Sequence, residues 1–403
     1  MGNNKSKNKI IKKSRKGDEK DAEIPIKNKT IEYNQSLSKA PNQIFNSTNK
    51  SNVTLTRYNS NDNYNTKNIP KKDNQNINIP NLKLSNSIED SYTYYCTDNS
   101  FIIIDSIDKI LYLIYSTGGN SIISFDLLNN KKINEIKSAH KDYIANFKYF
   151  QDKSNKKDLI ISISPADRNI KLWNLKNLEC LFNFINLYKD GTLRESCFIY
   201  FNDKIYIATS LFCVIKCEPI KIFDLKGNKI KEINDSSNNT FFIESYFDEK
   251  LSKIFIITSN EGYSKSYDFK ENKPYFKYYD NDNICRHSLI IKNKDGITKL
   301  IESSEDGYIR IWNFHTGILL KRFCIINEWI QGICLWNDEL LFIGCLDQNI
   351  LLIELSNGKI IKKYNGHKSL VLTVKKINHP KLGNCLISQG WKKDKIIIWK
   401  TIS

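Results

Sequence analysis

Between residues 91 and 403, short apolar runs alternate with polar clusters along the whole chain. The apolar runs are roughly four to eight residues long and rich in Ile, Leu, Phe and Tyr, and Asn, Asp, Gly and Lys separate them. Runs of this length bounded by turn-forming residues are typical of β-strands and tight turns. Since no stretch keeps a helical period, the region is predicted to be almost entirely β.

The preceding residues have a different pattern. Residues 17–90 are dominated by Asn, Lys and Ser, with single apolar side chains scattered among them. No face of a helix or strand built from this sequence could be buried, and the backbone ordering entropy would not be offset. The segment is predicted to be a disordered tether between a basic N-terminal tip, residues 1–16, and the β region.

The β region repeats with a period near 45 residues. An aromatic or branched apolar residue followed by Asp, Asn, Glu or Lys ends a strand seven times, at successive spacings of 48, 50, 44, 45, 41 and 46 residues. This period is typical of a four-stranded propeller blade, and residues 91–403 accommodate seven of them. The seven strand ends are Phe125-Asp126, Trp173-Asn174, Phe223-Asp224, Tyr267-Asp268, Trp312-Asn313, Ile353-Glu354 and Trp399-Lys400.

Three repeats have further residues in common with a known family. Ala139-His140 and Asp167 precede Trp173, Asp306-Gly307 precedes Trp312, and Gly366-His367 precedes Trp399. On these residues the chain from 91 to 403 resembles the WD-repeat family, which implies an all-β, seven-bladed β-propeller. In that family a His, a Ser or Thr, the turn Asp and the Trp form a buried hydrogen-bonded network within a blade. The resemblance implies this structural role for His140, Ser162 or Ser164 (with Ser164 preferred), Asp167, Trp173, Asp306, Trp312, His367, Ser388, Asp394 and Trp399.

The end of the chain predicts how the ring closes. After Lys400 only three residues remain, too few for the outer strand of the last blade. In the family the segment before the first repeat supplies that strand, which also covers an exposed sheet edge. Ser91–Cys96 has high β propensity, and we expect it to be this strand.

A partner-binding face is also implied by the resemblance. In the family, the loops that lead into the blades and the turns between second and third strands share one face around the central channel. Aromatic and arginine side chains there are common binding hot spots. The expected partner-binding residues are Tyr143, Arg168, Trp329, Trp391 and Lys392. The alternative is that each packs against its own blade.

The N-terminal tip matches the N-myristoylation pattern, with Gly2 as acceptor and Ser6 at the required position. One myristoyl chain binds membranes only weakly, and basic residues near an anionic leaflet add roughly 1 kcal/mol each. The alternatives are a solvated basic tail or a nuclear-localisation patch. The residues expected at the membrane are Lys5, Lys7, Lys9, Lys12, Lys13, Arg15 and Lys16, and residues 1–16 contain no acidic residue.

Composition narrows the classes of function. The net charge of +17 permits acidic partners, anionic membranes or nucleic acid. The ten cysteines form no CxxC pair, and the chain has no metal-ligand cluster and no glycine-rich phosphate loop. No apolar run is long enough to span a membrane. We therefore expect no cofactor, no metal, no small-molecule substrate and no catalysis. A His-Ser-Asp catalytic triad is the disfavoured alternative, because it needs an exposed serine.

These patterns predict a non-catalytic scaffold that binds other proteins, in the cytoplasm and lipid-anchored to a membrane as a peripheral protein. A nuclear location is the alternative. Two further functions remain open. Trp173-Asn174-Leu175-Lys176 loosely resembles a motif by which some WD-repeat proteins dock to ubiquitin-ligase adaptors. Binding of nucleic acid through the basic surplus is a less favoured possibility, and it would weaken steeply with salt.

Overall fold

The computed structural model describes residues 78–93, 100–189, 191–212, 218–234, 239–280, 283–292 and 296–402. All of them lie within one compact unit, residues 74–403. Within these ranges the regular secondary structure consists of 28 strands and no helix. The expectations for the basic tip, residues 1–16, and for the tether up to residue 77 concern residues outside the described ranges.

The 28 strands form seven sheets of four antiparallel strands, which confirms the predicted seven-bladed all-β propeller. In each blade we name the strands a to d from the channel outward. Blades 1 and 2 are β2 (Phe101–Asp105), β3 (Leu111–Thr117), β4 (Ser121–Asp126), β5 (Lys131–Ile136) and β6 (Asn146–Asp152), β7 (Lys157–Ser164), β8 (Asn169–Asn174), β9 (Glu179–Phe184). Blades 3 and 4 are β10 (Thr192–Phe201), β11 (Lys204–Phe212), β12 (Ile220–Asp224), β13 (Lys229–Ile233) and β14 (Thr240–Asp248), β15 (Lys253–Asn260), β16 (Ser264–Asp268), β17 (Lys273–Tyr278). Blades 5 and 6 are β18 (Cys285–Lys292), β19 (Thr298–Ser304), β20 (Tyr308–Asn313), β21 (Leu319–Cys324) and β22 (Ile330–Leu335), β23 (Leu340–Cys345), β24 (Asn349–Glu354), β25 (Ile360–Asn365). Blade 7 is β26 (Val371–His379), β27 (Gly383–Gly390), β28 (Ile396–Thr401) and β1 (Leu82–Ile88).

All seven repeated residue pairs lie at the end of strand c, and in blades 1 to 6 the turn to strand d follows. In five blades the second residue of the pair is Asp or Asn, and its side-chain oxygen accepts a hydrogen bond from the backbone N–H two residues later. A short side chain that bonds its own backbone in this way stabilises a tight turn. Asn accepts this hydrogen bond as well as Asp does, so the c–d turn forms in blades that have no Trp-Asp pair.

A β-bulge recurs opposite the first residue of each pair. In blade 2, for example, Leu172 pairs with Phe182 and Trp173 pairs with Cys180, so Leu181 is the extra residue on strand d. All seven blades have the same shift at this position. A bulge bends the strand and increases its twist. The recurring apolar residue therefore marks the point where each outer strand bends.

The outer strand of blade 7 corrects one prediction. It is β1, which pairs with β28 from Leu82–Thr401 to Ile88–Ile396, and the expected segment Ser91–Cys96 does not form it. Ser91 and Thr93 instead lie at the b–c turn of blade 7, where Thr93 forms a β-bridge with Lys392, and residues 94–96 lie outside the described ranges. The propeller thus begins before residue 91.

Burial explains why residues 82–88, and not the more apolar residues 91–96, form the outer strand of blade 7. An outer strand has one sheet neighbour, so it needs few apolar side chains. In β1 only Leu82 and Ile88 are buried. Leu82 packs in the cluster between blades 6 and 7, and Ile88 packs in the cluster between blades 7 and 1. The segment that forms this strand is thus selected by the spacing of Leu82 and Ile88, which places one side chain in each neighbouring cluster, and not by high β propensity.

Hydrophobic clusters between neighbouring blades form the core. Among the described residues there are seven clusters, and each joins two adjacent blades, including blade 7 to blade 1. Successive side chains along a strand point to opposite faces of its sheet, so they contact the two neighbouring blades alternately. Every blade therefore depends on both neighbours, and closing the ring leaves no blade with an uncovered apolar face.

Removing residues 1–89, and with them β1, should lower the thermal midpoint by about 10 °C or more, because β28 would expose its outer edge and two clusters would lose a member. Circular dichroism measures the midpoint. A matched truncation of residues 1–77 keeps β1 and should leave the midpoint within about 2 °C of the full chain. Equal midpoints for the two truncations would show that β1 does not close the ring.

Candidate functional site

The strand order divides the loops between two faces of the ring. Strand a crosses from one face to the other and strand b returns, so the d–a connections and b–c turns share one face. We call this the connector face. The a–b and c–d turns share the opposite face, which we call the hairpin face. All five residues expected to bind a partner lie in connector-face loops.

Blade 2 contains a buried network centred on Ser162. Its Oγ accepts a hydrogen bond from Trp173 Nε1 at 2.8 Å and lies 2.7 Å from His140 Nε2. His140 Nδ1 lies 3.5 Å from the Asp167 carboxylate, which also accepts a bond of 2.6 Å from the Lys141 backbone N–H. Burial lowers the pKa of His140 to about 3, so the ring is neutral at pH 7. The network joins the incoming loop to strands b and c.

The strand-b member of this network is Ser162, which corrects the preference for Ser164. The two serines are two residues apart and face the same side of β7, so the sequence pattern could not separate them. Trp173 pairs with Ile160 in the ladder, and its indole extends along the sheet to the Ser162 hydroxyl. Ser164 Oγ is buried and has no hydrogen-bond partner among the described residues.

Blade 7 contains the same network with all four members connected. Trp399 Nε1 donates to Ser388 Oγ at 2.8 Å, Ser388 Oγ lies 2.8 Å from His367 Nε2, and His367 Nδ1 lies 3.2 Å from Asp394. Burial favours a higher pKa for Asp394, but the hydrogen bond with His367 and backbone N–H donors bring the pKa down to about 2. Asp394 is therefore ionised at pH 7, although the sequence places it one residue late.

Two glycines leave room for the blade 7 network. A Cβ on Gly366 would lie 2.7 Å from the Trp399 ring, and one on Gly390 would lie 2.2 Å from an Asp394 carboxylate oxygen. Both distances are shorter than real Cβ contacts. The Gly-His pair of this repeat is thus explained by packing, since the glycine lets the indole approach the incoming loop.

Blade 5 replaces the network with charged groups. Trp312 Nε1 donates to the carboxylate of Glu302, which lies where blades 2 and 7 have serine. Asp306 accepts a 2.6 Å bond from Arg310, and the same guanidinium bonds Asp280 at 2.8 Å. Complete burial raises the pKa of Glu302 to about 7. The sequence predicted Asp306 and Trp312 as members of one network, whereas here Asp306 bonds Arg310 and Trp312 bonds Glu302. Glu302 and Arg310 were missed because they depart from the family pattern.

The networks of blades 2 and 7 are enclosed. Ser162 and Ser388 have exposed fractions of 0%, and both hydroxyls already accept a hydrogen bond from a tryptophan. A serine nucleophile needs access to substrate and a nearby oxyanion site. These hydroxyls lack that access, so the geometry supports a structural role for the two networks.

The expected partner-binding residues are spread around the connector face. Tyr143 and Arg168 lie in blade 2, where Arg168 is exposed and its Nη1 donates to the Lys189 carbonyl at 2.9 Å. Trp391 and Lys392 lie together in blade 7, with the ammonium group 4.4 Å from the indole centroid. Trp329 leads into blade 6, half-buried beneath the Arg286 guanidinium. Each tryptophan thus contacts a basic side chain of the propeller itself.

The hairpin face has a large cavity that the sequence did not indicate. Its volume is about 1060 Å³, and strands a of blades 1, 2, 3, 4 and 7 line it at the channel mouth. Six aromatic side chains from blades 2, 3 and 4 line it, and we call the five other than Tyr149 the aromatic wall: Phe150, Phe198, Tyr200, Phe201 and Phe247. Tyr200 is 42% exposed and Phe247 is 57% exposed. Large exposed aromatic groups around a concavity are typical of binding surfaces.

Hairpin geometry positions the wall. In blade 3 the two-residue turn Asn202-Asp203 has φ angles of 49° and 57°, the left-handed backbone that hairpin turns of this type require. It directly follows Tyr200 and Phe201, and the Tyr200 hydroxyl donates to Asp203 at 2.9 Å. Phe150 lies 5.6 Å from Phe198 and 5.8 Å from Tyr200 between ring centroids. Within the wall, Phe150, Phe198 and Tyr200 therefore form one packed group across blades 2 and 3.

Three lysines line the same cavity. The Lys148 ammonium lies 3.0 Å from Glu244 and 3.5 Å from the fully buried Glu195. Lys376 donates to the Trp336 carbonyl at 2.5 Å. The half-buried Lys375 forms no ion pair with the described residues, and it also lines an adjoining cavity of about 270 Å³ deeper in the channel.

The described residues contain no group of three or more His, Cys, Asp or Glu side chains able to hold a metal ion. In those same ranges no helix is long and apolar enough to cross a membrane. No protein-family model matches the chain, and a comparison with curated proteins also gives no match. The seven-bladed architecture itself is consistent with a WD-repeat propeller.

Replacing Ser162 by Ala should lower the free energy of unfolding by about 1–3 kcal/mol, because the buried Trp173 N–H and His140 Nε2 would lose their shared partner. Ser164→Ala is the matched control on the same strand, and its cost should be below about 0.5 kcal/mol, since its hydroxyl is buried without a partner. Urea unfolding followed by tryptophan fluorescence measures both. A larger loss for Ser164→Ala would reverse the assignment.

Proposed function

We propose that the protein is a non-catalytic scaffold that binds other proteins through the faces of its propeller. The observation that carries the proposal is the hairpin-face cavity of about 1060 Å³ with exposed aromatic side chains at its rim. Aromatic anchors around a preformed concavity are typical of protein-binding sites. A closed ring of seven mutually packed blades supports such a site by holding its walls at fixed positions.

The absence of catalysis is part of this proposal. It is supported by the enclosed serines of blades 2 and 7, whose hydroxyls are held by indole N–H groups. It is also supported by the structural setting of Glu302, the fully buried carboxyl group whose pKa is raised to about 7. A perturbed carboxyl group of this kind is a candidate acid or base when it lines a cleft. Glu302 instead lies within blade 5 and accepts a bond from Trp312.

Attachment to the cytosolic side of a membrane is the second part of the proposal. Gly2 and the basic residues between Lys5 and Lys16 lie outside the described residues, and the sequence pattern alone supports their role. A myristoyl chain combined with seven basic residues would provide two signals for stable attachment. Anchored in this way, the propeller would present its faces to partners close to the membrane.

Photocrosslinking tests the scaffold function. With p-benzoylphenylalanine at position 247 on the hairpin face or 391 on the connector face, irradiation in cells should give discrete protein adducts from at least one position. Mass spectrometry identifies them. Position 181, where the side chain is 41% exposed within the outer strand of blade 2, is the control and should give none. If neither 247 nor 391 gives adducts above this control, the scaffold function is wrong.

Fractionation tests the membrane attachment. Gly2→Ala blocks attachment of the myristoyl chain, so most of the protein should move from the membrane pellet to the soluble fraction, because stable attachment takes two signals and only the basic residues would remain. Immunoblotting of both fractions measures the shift, and Asn3→Ala is a neighbouring control that should stay in the pellet. A Gly2→Ala protein that keeps the wild-type distribution would contradict lipid anchoring and favour a nuclear signal or a solvated tail.

A further inference from the structure

The hairpin-face cavity also indicates the chemistry of its partner. We propose that it binds a protein segment that places bulky apolar or aromatic side chains on the aromatic wall and a carboxylate group beside Lys375. This inference rests on the scaffold function proposed above and specifies one ligand class for one face.

The size and shape of the cavity favour a segment of polypeptide. Its volume, about 1060 Å³, lies just above the range for small-molecule pockets, roughly 300–1,000 Å³. Small-molecule pockets bury most of their ligand, whereas here Phe247 and Tyr200 project at an open rim. Such a rim can contact residues on both sides of an inserted side chain. A peptide several residues long uses this geometry better than a compact molecule does.

The aromatic wall is preorganised for apolar contact. Phe150 packs against both Phe198 and Tyr200, and the Tyr200 hydroxyl is fixed by Asp203. Phe201 packs edge-on against Phe269, with ring centroids 5.4 Å apart. Rigid aromatic side chains lose little conformational entropy on binding, so they provide contact area at low cost. The wall is therefore suited to accept a Phe, Trp or Leu side chain from a partner.

The charged side chains that line the cavity are Lys148, Lys375, Lys376, Asp105 and Glu244, and the position that favours an acidic group on the partner is Lys375. Lys148 is neutralised by Glu195 and Glu244, and Lys376 is bonded to a backbone carbonyl. Lys375, on strand a of blade 7, has no carboxylate partner among the described residues although it is half-buried. A lysine in a partly desolvated position gains from a nearby opposite charge. A carboxylate on the bound segment would supply that charge across the channel from the aromatic wall.

Selection of peptides on the full-length protein tests the inference. A random dodecapeptide phage library is selected on the immobilised wild-type chain, and the enriched peptides are synthesised with a fluorescent label. We expect enrichment of sequences that combine Phe, Trp or Leu with Asp or Glu. Fluorescence anisotropy then measures the Kd of the best peptide and of its counterpart in which each Asp or Glu is replaced by Asn or Gln.

Four variants locate the binding. Tyr200→Ser and Phe247→Ser should each weaken binding of the acidic peptide at least about tenfold, as expected for hot-spot residues. Lys375→Met keeps the aliphatic stem, and it should weaken binding of the acidic peptide by about tenfold while leaving the neutral counterpart unchanged. Leu181→Ser, on the outer strand of blade 2, is the control and should change neither Kd. All four side chains are partly exposed, and thermal midpoints within about 2 °C of wild type verify folding.

Three results would overturn the inference. They are a selection that enriches no peptide, an enriched peptide whose Kd responds to Leu181→Ser and not to Phe247→Ser, and an acidic peptide whose Kd is unchanged by Lys375→Met. The second result places binding outside the hairpin-face cavity and leaves the scaffold function intact. Photocrosslinking from positions 247 and 391 judges the scaffold function separately, because it detects partners of any chemistry.

Discussion

The structure depends on the ladder between β1 and β28, the two strands that close the ring. They come from opposite ends of the described chain, and their pairing from Leu82–Thr401 to Ile88–Ile396 gives blade 7 its fourth strand. The two buried side chains of β1 enter the clusters on both sides of that blade. One strand therefore secures two of the seven interfaces. Since each blade is stabilised by both neighbours, the positions of the channel walls follow from this closure.

Within the ring, the blades satisfy the same packing requirement with different polar groups. Blades 2 and 7 use a serine hydroxyl between a histidine and a tryptophan, whereas blade 5 uses Glu302 with Trp312 and a guanidinium held by two aspartates. Each arrangement gives the buried indole N–H an acceptor, which a buried donor requires. This tolerance explains how the repeats diverge in sequence while each keeps a four-stranded sheet and a bulge opposite the end of strand c.

The two faces of the ring differ in how their side chains are used. On the connector face, Trp329 and Trp391 lie under or beside basic groups from the same propeller. On the hairpin face, the long strands β10 and β14 extend aromatic residues to the channel mouth, where Tyr200 and Phe247 remain exposed. Apolar surface left exposed around a concavity favours association. The hairpin face is for this reason the stronger candidate for partner binding.

The sequence by itself determined the β class, the number of blades and the position of every strand c. These features depend on alternation, turn chemistry and spacing, which act between residues close together in the chain. Tertiary structure alone decided that β1 closes the ring, that Ser162 and not Ser164 joins Trp173, and that strands from five blades enclose a cavity. Those outcomes depend on contacts between residues far apart in sequence, such as Lys148 with Glu244. The energy of such contacts is fixed only when the closed ring brings the partners together, so no local pattern encodes them.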